Sequence, residues 1–115
     1  MAKLSPKDTP SELCKPDAVF EKAANLFRVL SAPLRLKILS CLCEGEQNVS
    51  YLLSKIDTTQ PNMSQHLTTL YQANVLGKRR DGVQIYYRII DTRVSALCKT
   101  VCSQIEDSTG KGPQT

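Results

Sequence analysis

The chain has 115 residues, a formal net charge of +4, 41% hydrophobic side chains and five cysteines. That length suits one domain with a thin core, a size at which a partner subunit or ligand often completes the packing. No window approaches the ~18 to 20 consecutive apolar residues of a membrane span, and the opening MAKLSPKDTPSEL has no apolar signal core, so a cytoplasmic protein with no membrane partner is expected.

Residues 1–15 are polar and Pro-containing, and 107–115 are rich in Gly, Pro, Ser and Thr, which predicts a flexible N-terminal arm and a flexible tail around one domain spanning 16–106. Val19, Phe20, Ala23, Leu26, Phe27 and Leu30 recur at helical spacing, with Glu21, Lys22, Asn25 and Arg28 between them, giving a first amphipathic helix. Ser31-Ala32-Pro33 stops it and starts a second helix, whose apolar face is Leu34, Ile38, Cys41 and Leu42 and which Glu44-Gly45-Glu46 ends. Asn48 is placed to cap a short third helix with Val49, Leu52, Leu53 and Ile56 on its apolar side. Asp57-Thr58-Thr59 then turns the chain into the helical segment TQPNMSQHLTTLYQ.

On a wheel of about 100° per residue, Met63, Leu67, Leu70 and Tyr71 of that segment face the core, and Pro61, Asn62, Gln65, Thr68, Thr69 and Gln72 face out. The outer face is polar but uncharged. Water would accept Lys and Glu there as readily, and these are the better helix formers, whereas amides and hydroxyls are the groups that read base edges and phosphates. Asn62, Ser64, Gln65, Thr68 and Thr69 are therefore the candidate DNA contacts. His66 flanks the apolar side and reads as structural or DNA-adjacent rather than as a metal ligand. A short helix, a tight turn and a second helix together make a helix-turn-helix, in which the second helix enters the major groove.

Asp81-Gly82 signals a two-residue hairpin turn joining a basic strand, with Lys78, Arg79 and Arg80, to an alternating one in which Ile85, Tyr87 and Ile89 oppose Tyr86 and Arg88. Such a wing beside the groove supplies phosphate contacts and so the sequence-independent part of affinity. Edge-strand protection is the plainer role for the same Lys-Arg-Arg run. Asp91 caps a last helix, 92–106, striped with Val94, Leu97, Cys98, Val101, Cys102 and Ile105. With the first helix it offers the surface for a two-fold dimer that spaces two recognition helices about one DNA turn apart. The fold class expected is mainly α with a small β-hairpin, a homodimeric winged helix-turn-helix whose partner is double-stranded operator DNA.

The order of elements, with SAPLRLKIL, TTQPNMSQHLTTL and KRRDGVQIYYRI, resembles the ArsR/SmtB family of dimeric winged-helix repressors over about residues 17–106. The resemblance implies a repressor released from its operator when a small inorganic inducer, a metal, a metalloid or a reactive sulfur species, acts on its cysteines. QPNMSQHL and the Cys102-bearing last helix look closest to the branch that senses persulfides. The family's arsenic-type Cys-Val-Cys corresponds here to Asn48-Val49-Ser50 and is absent. In its zinc-type site, Asp91 and Asp107 match, but Arg93 and Gln104 stand where histidines belong. The persulfide branch pairs a second-helix cysteine with one late in the last helix. Cys102 matches the latter, while Ser40 aligns with the former and Cys41 lies one position on, about 100° around the helix.

The thiol switch implied is thus Cys41 with Cys102, with Cys43 as the other second-helix thiol. No resident cofactor is required. The alternative is capture of a soft metal or metalloid ion by Cys98 and Cys102 with Cys14 or Cys43, which would account for five thiols rather than two. Cys41, Cys98 and Cys102 on apolar stripes are also consistent with ordinary packing. An enzyme is not expected, because there is no Cys-x-x-Cys at a helix start and no Gly-rich phosphate loop, and His66 is the one histidine. A winged-helix module used only for protein contacts is the reading of another class, separated from a repressor by direct DNA binding.

Overall fold

The computed structural model describes residues 15–108. Cys14, most of the expected N-terminal arm and residues 109–115 of the expected tail lie outside them. The chain divides after Leu30 into two compact units. The first contributes helix α1, Asp17–Leu30. Its amphipathic pattern is as expected, yet Val19, Phe20 and Phe27 stand 46%, 50% and 57% exposed.

The second unit runs α2 (Pro33–Leu42), β1 (Gln47–Asn48), α3 (Val49–Lys55), α4 (Gln60–Gln72), β2 (Leu76–Asp81), β3 (Gln84–Ile89) and α5 (Thr92–Glu106). Helices α3, α4 and α5 each start at a side chain that takes one of the first N–H groups, and α2 starts at a proline. Pro33 occupies the first turn of α2, where a missing N–H costs nothing. The Asn48 side chain accepts from the Tyr51 N–H at 2.8 Å, Thr59 Oγ1 accepts from Asn62 N–H at 3.2 Å, and Asp91 accepts from Arg93 N–H at 3.0 Å. Helices α3 and α4 form the expected helix-turn-helix across residues 56–59.

The end of α4 is a Schellman motif. Asn74 takes the left-handed conformation with φ of 63°, its N–H donates to Tyr71 O at 3.0 Å, and the Val75 N–H reaches back to Leu70 O at 3.0 Å. Val75 and Leu70, the hydrophobic pair that accompanies this motif, are both fully buried. Around them the core gathers Ile38 and Leu39 of α2, Leu52 of α3, Met63 and Leu67 of α4, Leu76 and Tyr87 of the sheet, and Val94 of α5.

The sheet order is β1-β3-β2, all antiparallel. Four expectations need correction. Leu39, absent from the expected face of α2, is fully buried, while Cys41 is only half-buried. Tyr71 is 40% exposed rather than core, because its ring lies under the Lys78 ammonium, 4.4 Å from the ring centre. The hairpin is shifted by one residue: Asp81 pairs with Gln84, so the loop is Gly82-Val83 and not Asp81-Gly82. Gly82 carries φ of 68°, and a glycine at the first of two loop positions is what a type II′ turn demands. Strand β1, which pairs Gln47 with Tyr87 and Asn48 with Tyr86, was not anticipated.

Strand β2 runs close to its surroundings at Gly77, where an added Cβ would lie 2.9 Å from Ile90 Cγ2. Gly77→Ala is therefore expected to destabilise the fold by about 1–3 kcal/mol through overpacking. Urea unfolding midpoints at unchanged m-value check this.

Candidate nucleic-acid interface and thiol cleft

The predicted DNA contacts share one open surface of α4, with Asn62, Ser64, Gln65 and Thr68 exposed and Thr69 half-buried. Their freedom differs. The Asn62 amide donates to Thr58 Oγ1 at 2.9 Å, and the Thr69 hydroxyl donates to Gln65 O at 3.1 Å, so both are held by the helix itself. Among the described residues no hydrogen bond engages the Ser64, Gln65 or Thr68 side chains, which leaves these three to meet a ligand. The first turn of α4 carries no acid to offset the positive end of its dipole, although Thr59 Oγ1 and Thr59 O already take the Asn62 and Met63 N–H groups. His66 is half-buried beside this face.

The wing departs from expectation. Lys78 is drawn over Tyr71, as described, and stays solvent-facing. Arg80 is exposed and makes no ion pair among the described residues. Arg79, expected on phosphate, is half exposed but has its Nε/Nη2 edge taken by a carboxylate. Its Nε donates to both oxygens of Glu46 at 3.0 and 2.9 Å, and Nη2 donates to Oε1 at 2.8 Å. Nη1 lies 3.8 Å from Asp81 Oδ2, and the guanidinium stacks on Tyr86 with Cζ 4.8 Å from the ring centre. The Arg79 hydrogen bond holds the Glu46 carboxyl below its ordinary range. Nothing in the sequence near Arg79 pointed to Glu46, because the two are 33 residues apart and meet only through the β1–β3 pairing.

Cys43, Cys98 and Cys102 line one cleft of about 260 Å³ between the end of α2 and the face of α5, together with Ser40, Glu44, Lys99 and Glu106. Cys41 is not among its walls. It sits near Lys55 of α3, and burial, partly offset by that ammonium, pushes its thiol up. The one-residue offset from Ser40 thus has a physical outcome: the second-helix thiol facing Cys102 across the cleft is Cys43, three residues from Ser40 and on its side of the helix. Burial pushes the Cys98 thiol up, and the neighbouring Cys102 and Cys43 push it further. Cys102 is exposed, Cys43 half-buried with Sγ 3.8 Å from Ser95 Oγ, and Cys98 8% exposed.

No group of three or more His, Cys, Asp or Glu residues among those described is disposed to hold a metal ion. Asp91 is occupied by Arg93, whose Nη2 lies 2.6 Å from Asp91 Oδ2 and whose hydrogen bond holds that carboxyl below its ordinary range. No helix among the described residues is long and apolar enough to cross a membrane.

The profile of the arsR family of bacterial regulatory proteins matches residues 32–78, from the start of α2 to the first cation of the wing. An uncharacterized HTH-type transcriptional regulator of Methanocaldococcus jannaschii is 36% identical over 83 residues, covering 71% of this chain and 93% of the relative. The biofilm growth-associated repressor of Xylella fastidiosa is 37% identical over 87 residues, covering 72% and 76%. In structure, the homodimeric winged helix-turn-helix DNA-binding domain of a possible ArsR-family regulator from Mycobacterium bovis superposes with a TM-score of 0.71 at 25% identity, covering 95% of this chain and 94% of that domain.

The thiols differ enough in exposure to be ranked. Under brief treatment with iodoacetamide at neutral pH, Cys102 is expected to alkylate first and Cys98 last among the four described cysteines, by at least about tenfold in rate, because only the exposed thiolate reacts. Peptide mass mapping of timed samples reads the order directly.

Proposed function

The chain belongs to the arsR family of bacterial regulatory proteins and is a winged-helix transcriptional repressor; from that footing we propose that it binds operator DNA as a homodimer and leaves it when a reactive sulfur species bridges Cys102 to Cys43. Such regulators are not enzymes, and α4 with its three unengaged polar side chains is the part suited to read a major groove. The exposed apolar residues Val19, Phe20 and Phe27 on α1, and Val101 and Ile105 on α5, each form a stripe that favours cover by a second copy.

One observation carries the sensing half of the reading: three thiols share a single cleft on the helix pair α2 and α5. Cys102 takes a sulfur atom from a persulfide or polysulfide donor, which departs one sulfur shorter. The Cys43 thiolate then attacks the Cys102 sulfur and expels hydrosulfide, leaving the two cysteines joined. A bond across the cleft alters how α5 packs, and a ligand drives release only through its different affinity for the two arrangements. About 3 kcal/mol of coupling weakens operator binding roughly a hundredfold. A second reading, capture of a soft metal or metalloid by Cys43, Cys98 and Cys102 of this cleft, requires the three thiols to close up, since as they stand they are not disposed around one ion.

Two experiments test this. With a duplex selected from a random pool, Gln65→Ala or Thr68→Ala is expected to lower discrimination by about 1–3 kcal/mol per lost contact, whereas Arg80→Ala weakens all sequences alike and flattens the salt dependence. Failure to select any duplex would leave the protein-contact module as the answer. For release, Cys102→Ser and Cys43→Ser are expected to abolish the response to tetrasulfide while Cys41→Ser and Cys98→Ser retain it. Loss in Cys98→Ser, with arsenite acting where tetrasulfide does not, selects the metalloid reading.

A further inference from the structure

Arg79 occupies a place in the fold that neither DNA contact nor thiol chemistry accounts for. It is a wing cation whose fork is filled by a carboxylate, whose remaining Nη faces Asp81, and whose plane rests on Tyr86. Exposed ion pairs generally contribute little, but a bidentate Arg–carboxylate pair with a stacked guanidinium is the geometry in which they hold. A phosphate could take that fork only by displacing Glu46.

The carboxylate's origin matters more than its strength. Cys43 caps the C-terminus of α2, and Glu46 follows three residues later, immediately before β1. A second cleft, of about 250 Å³, has Cys43, Glu44 and Glu46 along one wall and Arg88 and Ser95 on the other. Tyr86 closes the circuit: it pairs with Asn48 of β1 on one side and with Arg79 of β2 on the other, beneath the guanidinium. The segment from Cys43 to Asn48 is therefore tied at one end to the thiol cleft and at the other to the wing, through a short turn at Glu44-Gly45.

We propose that Arg79 is a positioning residue and not a phosphate contact: with Glu46 it is the latch through which a change at Cys43 is felt by the wing. This rests on the thiol-switch reading above. When Cys43 is drawn toward Cys102, Glu46 is pulled from the guanidinium, and the hairpin bearing Lys78 and Arg80 loses its fixed placement against α4. Coupling of this kind requires the latch to have a second, open position that both sites bias.

The test uses the full chain and fluorescence anisotropy with the selected duplex, before and after sodium tetrasulfide. Arg79→Gln and Glu46→Gln are expected to keep the wild-type slope of log affinity against log salt, while Arg80→Gln becomes shallower by about 0.9, the value for one phosphate contact. Release by tetrasulfide, roughly a hundredfold in the wild type, is expected to fall below about tenfold in Arg79→Gln, in Glu46→Gln and, no further, in their combination. The exchanged pair Glu46→Arg with Arg79→Glu is expected to recover most of it. A salt slope for Arg79→Gln as shallow as that of Arg80→Gln would make Arg79 a phosphate contact and overturn the latch, as would hundredfold release retained in both single variants. A wild type that tetrasulfide does not release removes the thiol switch and this coupling together, while the salt slopes still decide the place of Arg79.

Discussion

The backbone of one buried residue, Val75, joins the helix-turn-helix, the hairpin and the last helix. Its N–H closes the end of α4 onto Leu70 at 3.0 Å, and its carbonyl accepts from Ile90 at 2.9 Å and Asp91 at 3.4 Å. Helix α4, the residues that follow β3 and the cap of α5 are thus hydrogen-bonded to a single peptide segment that water does not reach. Buried backbone groups left unpaired are costly, so these elements cannot rearrange independently at small cost. Whatever alters the packing of α5 acts on the same segment that orients α4.

Two electrostatic arrangements sit on this frame and pull in different directions. Arg80 is unpaired among the described residues, and Lys78 is held over an aromatic ring that leaves its charge outward-facing. Arg79 and Arg93, by contrast, are spent on acids of the same molecule, Glu46 and Asp91. The net charge of +4 therefore understates the division of labour: part of the basic complement holds the fold's edges, and part is available for a polyanion. The thiols show a similar sorting by burial, from exposed Cys102 to nearly enclosed Cys98.

Much of this was legible in the sequence because the governing signals are local. Helical spacing, the caps Asn48 and Asp91, and Pro33 in a first turn each act within four residues, and the last helix has the expected bounds of 92–106. What escaped was non-local. Strand β1 is two residues long and exists only because β3 lies beside it, so no pattern of its own announces it. The pairing of Glu46 with Arg79 follows from that strand and was hidden with it. Tyr71 was assigned to the core by angle alone, and a cation from the next element drew it out. Apolar spacing puts Cys41 on the face of α2 and Cys43 near its end, but cannot say which of them faces Cys102. Only the opposed placement of α3 and α5 about α2 separates them. Asn74 was the missed local signal, as asparagine is the common substitute for glycine in the left-handed position that ends a helix.

The half-exposed phenylalanines of α1 bear on quantity as well as on shape. Phe20 and Phe27 leave much of their rings in water in a single copy, so for the proposed homodimer folding and pairing draw on the same apolar surface. Stability then rises with the amount of chain in the cell, and operator occupancy varies with the square of that amount wherever pairing is incomplete. A regulator of this kind is sensitive to its own abundance. Small changes in its synthesis or proteolysis shift the threshold at which its genes are silenced, without any inducer and without any change in the residues that touch DNA.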